Sequence, residues 1–155
     1  MNVRKMTKDD ALAISTILRD LGWFGHLKEE AFQETEQRIQ KHITLCLQDD
    51  SHTLYVAENT NGNVIGYAAV HWFPYLMLKA PEGYVSELFI ADSERGKGVG
   101  SQLLEVAKEE AKRRGCSRLS LLSIKHRESY KRGFYKKRGW TEREEASNFV
   151  LVLES

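Results

Sequence analysis

Nowhere in the 155 residues do about 18 apolar residues follow one another, the length a helix needs to cross a bilayer. Met1 to Asp10 is mixed polar and charged and lacks the apolar core of a secretion signal. Both absences lead to the expectation of a cytoplasmic protein without membrane partners. Cysteine is scarce as well. Cys46 and Cys116 stand far apart, which excludes C-x-x-C redox and zinc patterns and leaves two free buried thiols, with no metal expected. Neither sign of charge dominates: 23 Lys and Arg against 22 Asp and Glu give no electrostatic footprint for nucleic acid. What is present is a 41% hydrophobic share, enough for one domain with a core and too little chain for two, so 1–155 reads as a single domain.

Asn2 to Met6 reads as a short strand. Thr7 followed by Asp10 resembles a capping box before Ala11, Ile14, Ile17, Leu18 and Leu21, a first helix that stops at Gly22. A second helical pattern runs from Lys28 to Leu47, with Phe32, Ile39, Ile43 and Cys46 near one face. Thr53 to Ala57 and Val64 to Trp72 are β-rich and flank Asn59 to Asn63, whose Asn61-Gly62 step suits a hairpin turn. An irregular stretch around Pro74 and Pro81 leads into a strand-like run from Tyr84 to Ile90.

After that strand comes Arg95-Gly96-Lys97-Gly98-Val99-Gly100-Ser101, and then a helical pattern with Val99, Leu103, Ala107 and Ala111 on one face, stopped at Gly115. A glycine loop opening a helix directly after a strand suits an anion: the backbone approaches closely and the positive dipole end points at the ligand. Arg95 and Lys97 add local positive charge, so a phosphate or pyrophosphate is expected. A glycine loop ahead of a helix also serves as a plain tight turn, but three alternating glycines with two cations favour the ligand. No Gly-Lys-Ser or Gly-Lys-Thr occurs, which excludes a P-loop, and the third glycine falls one residue early for a dinucleotide fingerprint.

What remains is R-x-x-G-x-G, and on Arg95, Gly98 and Gly100 the sequence resembles the GNAT superfamily of acetyltransferases. Glu87-Leu88-Phe89-Ile90, the helix Ser101 to Arg114, the strand Arg118 to Ile124 and Phe134-Tyr135 ahead of Gly139-Trp140 follow in that family's order, covering about half of the chain. The resemblance implies an α/β (α+β) fold: a mixed, twisted, mostly antiparallel sheet of about six or seven strands flanked by about four helices. Its central parallel strands splay apart, with pantetheine in the gap. An acceptor-side half would span about 1–80 and an acetyl-CoA-binding half about 82–140. Acetyl-CoA would be the cosubstrate. Arg95, Gly96, Lys97, Gly98, Val99, Gly100 and Ser101 would hold the pyrophosphate, and Leu88, Phe89 and Ile90 would pair main-chain groups with pantetheine.

Tyr135 is the implied acid for the departing thiolate, although Glu128 and Lys131 stand where the family commonly has Asn and Ala. A protonated amine has no lone pair, so a base is needed; Glu87 is the first choice, with His71, Tyr84 and His126 in reserve. Leu21 to Leu27, with Trp23, Phe24 and His26, and Trp72 to Glu82, with Phe73 and Tyr75, are the candidate acceptor segments. The basic run Arg127 to Arg138 reads as a solvated face or a partner for the adenosine phosphate. The expected activity is transfer of acetyl to a primary amine in a ternary complex, for a small-molecule or peptide acceptor. A non-catalytic acyl-CoA sensor is the rival reading. Phe149 to Leu153 reads as a last apolar strand, and a sheet edge there leaves a homodimer open.

Overall fold

Strand-forming residues on either side of an Asn-Gly turn give the hairpin on which the fold is built, seen in a computed structural model that describes residues 1–153. Strands β2 (His52–Glu58) and β3 (Val64–Phe73) pair antiparallel. In the turn between them the Asn59 carboxamide oxygen accepts from the Asn61 and Asn63 amides at 3.0 Å each, and Gly62 takes φ 79°. With β1 (Asn2–Lys5), β4 (Glu82–Ile90) and β5 (Arg118–Leu121) the sheet runs in the order β1-β2-β3-β4-β5. Three neighbouring pairs are antiparallel and only β4 with β5 is parallel, the mixed, mostly antiparallel sheet expected.

Helices α1 (Ala11–Leu21) and α3 (Phe32–Cys46) cover one face, where Ile14 and Ile43 pack with Leu54, Val56, Tyr67 and Ala69 in a closed core. Between them lies the five-residue α2 (Gly25–Glu29). Helix α4 (Val99–Arg113) covers the other face through Val99, Leu103 and Ala107, all buried. Gly66 allows this approach. A Cβ there would sit 3.1 Å from the Phe89 carbonyl oxygen and 3.3 Å from Val99 Cγ1, so β3 backs closely onto β4 and the first turn of α4.

Two compact units divide the chain. Met1–Leu121 holds the sheet and α1 to α4; the second, from Leu122 onward, holds α5 (Glu128–Lys131) and a 3₁₀ turn at Lys136–Arg138.

Four expectations are corrected. The described residues carry five strands, not six or seven, and Arg118–Leu121 is shorter than the strand expected to Ile124. Phe149 to Leu153 forms no strand and each of its side chains is at least 77% exposed, because apolar alternation makes a strand only where a partner edge is present. The second helical pattern breaks at Glu30 and Ala31, whose ψ of 155° and 146° are extended. There Glu30 is held by other parts of the chain: its carboxylate takes hydrogen bonds from Thr35 and Arg38, and its carbonyl accepts from Arg19. Both cysteines are free and half-buried, and burial raises their thiols. No helix among the described residues is long and apolar enough to cross a membrane.

The start of α1 is tied to β1 by charge. Asp10 accepts the Thr7 amide at 2.8 Å and a forked pair of hydrogen bonds from Arg4 at 2.8 and 2.9 Å. Burial alone would raise the Asp10 carboxyl, but Arg4 and Thr7 more than offset it and hold it below 3.8. A folded value below the unfolded one stabilises above about pH 4 and is lost as pH falls through the folded value. Asp10→Asn is therefore expected to cost about 1–3 kcal/mol at pH 7. Thermal melts of both proteins should converge as pH falls through the lowered Asp10 value.

Candidate active site

Strand β4 is paired on both sides for only part of its length. Its parallel ladder with β5 covers Glu82–Val85 against Arg118–Leu121; beyond Val85, among the described residues, β4 is paired with β3 alone. A buried Glu82 is ion-paired to Arg118 at the first rung, and the ladder stops where β5 ends at Leu121. Main-chain groups of Leu88, Phe89 and Ile90 on the β5 side are therefore not used by β5, which leaves donors and acceptors for an extended amide-bearing ligand.

A β-bulge sits where the ladder ends. Ala69 faces Glu87 and Val70 faces Val85, so Ser86 is the extra residue. Successive strand residues ordinarily point to opposite faces. Here the slip lets Ser86 and Glu87 both reach side chains of one β3 face, His71 and Tyr67, which stand four residues apart. The Tyr67 hydroxyl donates to Glu87 Oε1 at 2.9 Å. Burial first, then the Glu87 charge, hold the Tyr67 phenol well above its ordinary value, so it stays a donor. Ser86 Oγ lies 2.6 Å from His71 Nε2, and His71 Nδ1 lies 2.8 Å from His52 Nδ1. Burial first, then His52, lower His71, and across the contact one ring's Nδ1–H donates to the other ring's lone pair.

The glycine loop follows β4 within the same unit. Gly96 and Gly98 take φ of 75° and 84°, and α4 begins at Val99 with its positive end toward them. A Cβ at either glycine would meet nothing within 4 Å, so neither is there to avoid protein atoms; both serve the left-handed turn and leave open space above it. Val99 and Gly100 are buried and anchor the helix start, while Arg95 to Gly98 are exposed. The two loop cations each pair with an acid three residues earlier, Arg95 with Asp92 at 3.2 Å and Lys97 with Glu94 at 3.3 Å.

Arg95 also lies over the Trp23 ring, 4.8 Å from its centroid. Trp23 and Phe24 in turn pack edge-on to Phe89 at 6.0 and 5.5 Å, and Tyr67 is 5.7 Å from the same ring. The candidate acceptor segment before α2 thus touches both β4 and the glycine loop. Its His26 is exposed. Farther along the sheet Phe73 stacks between His71 and Tyr84, with Tyr75 edge-on. His126 is exposed and belongs to the second unit.

In that second unit Tyr135 packs against Phe134 at 5.0 Å and Trp140 at 6.1 Å, and burial raises its phenol. Phe134 is flanked by the Arg138 and Arg132 guanidiniums at 3.9 and 5.5 Å. Ser86, Tyr67 and His52 are the polar groups that sequence reasoning passed over. Each reaches its partner only through strand register, which leaves no local signal.

The pattern of the Acetyltransferase (GNAT) family matches residues 18–140. The chain is 28% identical over 152 residues to the uncharacterized N-acetyltransferase YhfO of Bacillus subtilis (strain 168), covering 97% of this chain and 94% of that protein. It is 33% identical over 92 residues to the aminoalkylphosphonate N-acetyltransferase of Salmonella typhimurium, 59% of this chain and 58% of that one. A solved structure described as a transcriptional regulator from Bacillus halodurans C-125 superposes with a TM-score of 0.83 at 26% identity, over 97% of this chain and 99% of the other. The half-paired β4, the glycine loop and this match agree: the chain is an acyltransferase belonging to the GNAT acetyltransferase family.

Proposed function

We propose that this protein transfers the acetyl group of acetyl-CoA to a primary amine by direct attack within a ternary complex. The observation that carries the reading is the half of β4 left without β5, followed past the turn at Asp92–Glu94 by a glycine loop at a helix N-terminus. That arrangement suits a ligand with amides along one part and phosphates at the other. Backbone groups of Leu88 to Ile90 take the amides, and the loop from Arg95 to Ser101 takes the pyrophosphate. Glu87 is the base: its carboxylate, oriented by Tyr67, accepts a proton from the ammonium and frees the lone pair. Tyr135 is the acid that gives its proton to the leaving thiolate; its raised phenol keeps that proton near neutral pH. An amine acceptor also fits the relative named for aminoalkylphosphonate acetylation.

Initial rates with both substrates varied test the order of events. Intersecting double-reciprocal lines are expected for direct attack; parallel lines would indicate a covalent acetyl-enzyme and overturn the ternary complex. Tyr135→Phe is expected to lower kcat by about 10²-fold or less, because a thiolate leaves with little acid assistance. The KM for acetyl-CoA should change little.

A further inference from the structure

Acyl transfer to an ammonium requires two protons to leave one nitrogen. The first departs before attack, freeing the lone pair. The second departs after the N–C bond has formed, as the C–S bond breaks and its electron pair goes to sulfur. Tyr135 supplies the thiol proton in the reading above, and its phenolate recovers one from the site. The net release is one proton to water. A single carboxylate must then act twice, or a second acceptor must stand beside it.

We infer that Ser86, His71 and His52 form that second acceptor, a hydrogen-bonded chain that takes one amine proton while Glu87 takes the other. The inference rests on the acetyl-transfer reading. The bulge is the device: it turns two consecutive residues, Ser86 and Glu87, toward one sheet face where β4 loses its β5 partner. Ser86 is exposed, so its hydroxyl meets solvent or substrate, and its other contact, at 2.6 Å, is His71 Nε2. As Ser86 Oγ receives a proton from nitrogen, its own O–H proton passes to His71 Nε2. The positive charge is then shared across the 2.8 Å Nδ1–Nδ1 contact with His52. When product leaves, the proton returns through Ser86 to water and the chain is reset.

The groups facing His71 are His52 from β2, Tyr84 and Ser86 from β4, and Phe73 stacked beside it on β3. Asp49, on the turn before β2, is coupled electrostatically to His52. Burial and His52 keep His71 neutral, ready to accept, until pH falls below the ordinary imidazole range. His71 touches no reacting atom in this scheme and acts through Ser86.

The test compares wild type, His71→Gln and Ser86→Ala in log kcat against pH, with acetyl-CoA affinity and thermal midpoint as controls. Glutamine can keep a hydrogen bond to Ser86 but cannot titrate. Wild type should lose rate as pH falls through the lowered imidazole value. His71→Gln should lose that bend and run about 10-fold slower on its plateau, with acetyl-CoA affinity and melting little changed. Ser86→Ala should slow turnover similarly. An unchanged bend and rate in His71→Gln would overturn the relay and leave acetyl transfer standing. Absence of acetylation by wild type with every amine would overturn the transfer reading and the relay together.

Discussion

Gly98→Trp is expected to weaken acetyl-CoA binding by at least about 100-fold, or about 2.7 kcal/mol, while the protein stays folded. The backbone at Gly98 has φ 84°, a left-handed conformation that costs a side chain about 1–2 kcal/mol. A Cβ there meets nothing within 4 Å, so the side chain leaves the backbone without a clash. It projects instead into the space beside the first turn of α4, where the phosphates are proposed to lie. Gly98→Ala separates the two effects. It carries the same backbone strain with almost no bulk, so its affinity should fall by less than about 10-fold. Calorimetric titration with acetyl-CoA, alongside thermal melts, distinguishes them. Equal affinities for wild type and Gly98→Trp would place the phosphates elsewhere.

Glu87→Gln is the second large effect, a loss of about 10² to 10⁴ in kcat at pH 7. Glutamine keeps an amide oxygen for the Tyr67 hydroxyl, so the bonding at 2.9 Å is retained and only proton acceptance is removed. The sign of the pH dependence follows from the chemistry. A base for the first proton is needed only while the acceptor is an ammonium, so if Glu87 takes that proton the deficit should narrow as pH approaches the amine value, about 10.4 for a lysine-like amine. A deficit of equal size at every pH would mean that Glu87 positions the substrate and deprotonates nothing. Tyr67→Phe should fall between wild type and Glu87→Gln, since it removes the donor that orients the carboxylate and leaves the carboxylate itself.

How far the sequence announces this site depends on whether the signal is local. Arg95 to Ser101 was legible because a left-handed turn ahead of a helix demands glycine at fixed spacing, and Gly96 and Gly98 do take positive φ. The Asn61-Gly62 hairpin was legible for the same reason. The bulge at Ser86 was not. Tyr84 to Ile90 reads as one uninterrupted strand-like run, and the extra residue exists only in the register of β4 against β3. The His52–His71 contact also joins residues 19 apart in sequence through cross-strand pairing, invisible to a window of a few residues. The over-read stretch Phe149 to Leu153 shows the converse: strong strand propensity without a ladder partner among the described residues. The break at Glu30 lacks glycine and proline, and its cause lies in Arg19, Thr35 and Arg38.

The most direct measurement of the central claim is release of free coenzyme A thiol from acetyl-CoA by the wild-type protein across a panel of primary amines, with Gly98→Trp as the blocked control. The expected result is release that requires an amine, saturates with it and disappears in the control, and the amines that support it define the acceptor class. Tight acetyl-CoA binding with no release for any amine would contradict the account and make the protein an acyl-CoA-binding module without turnover.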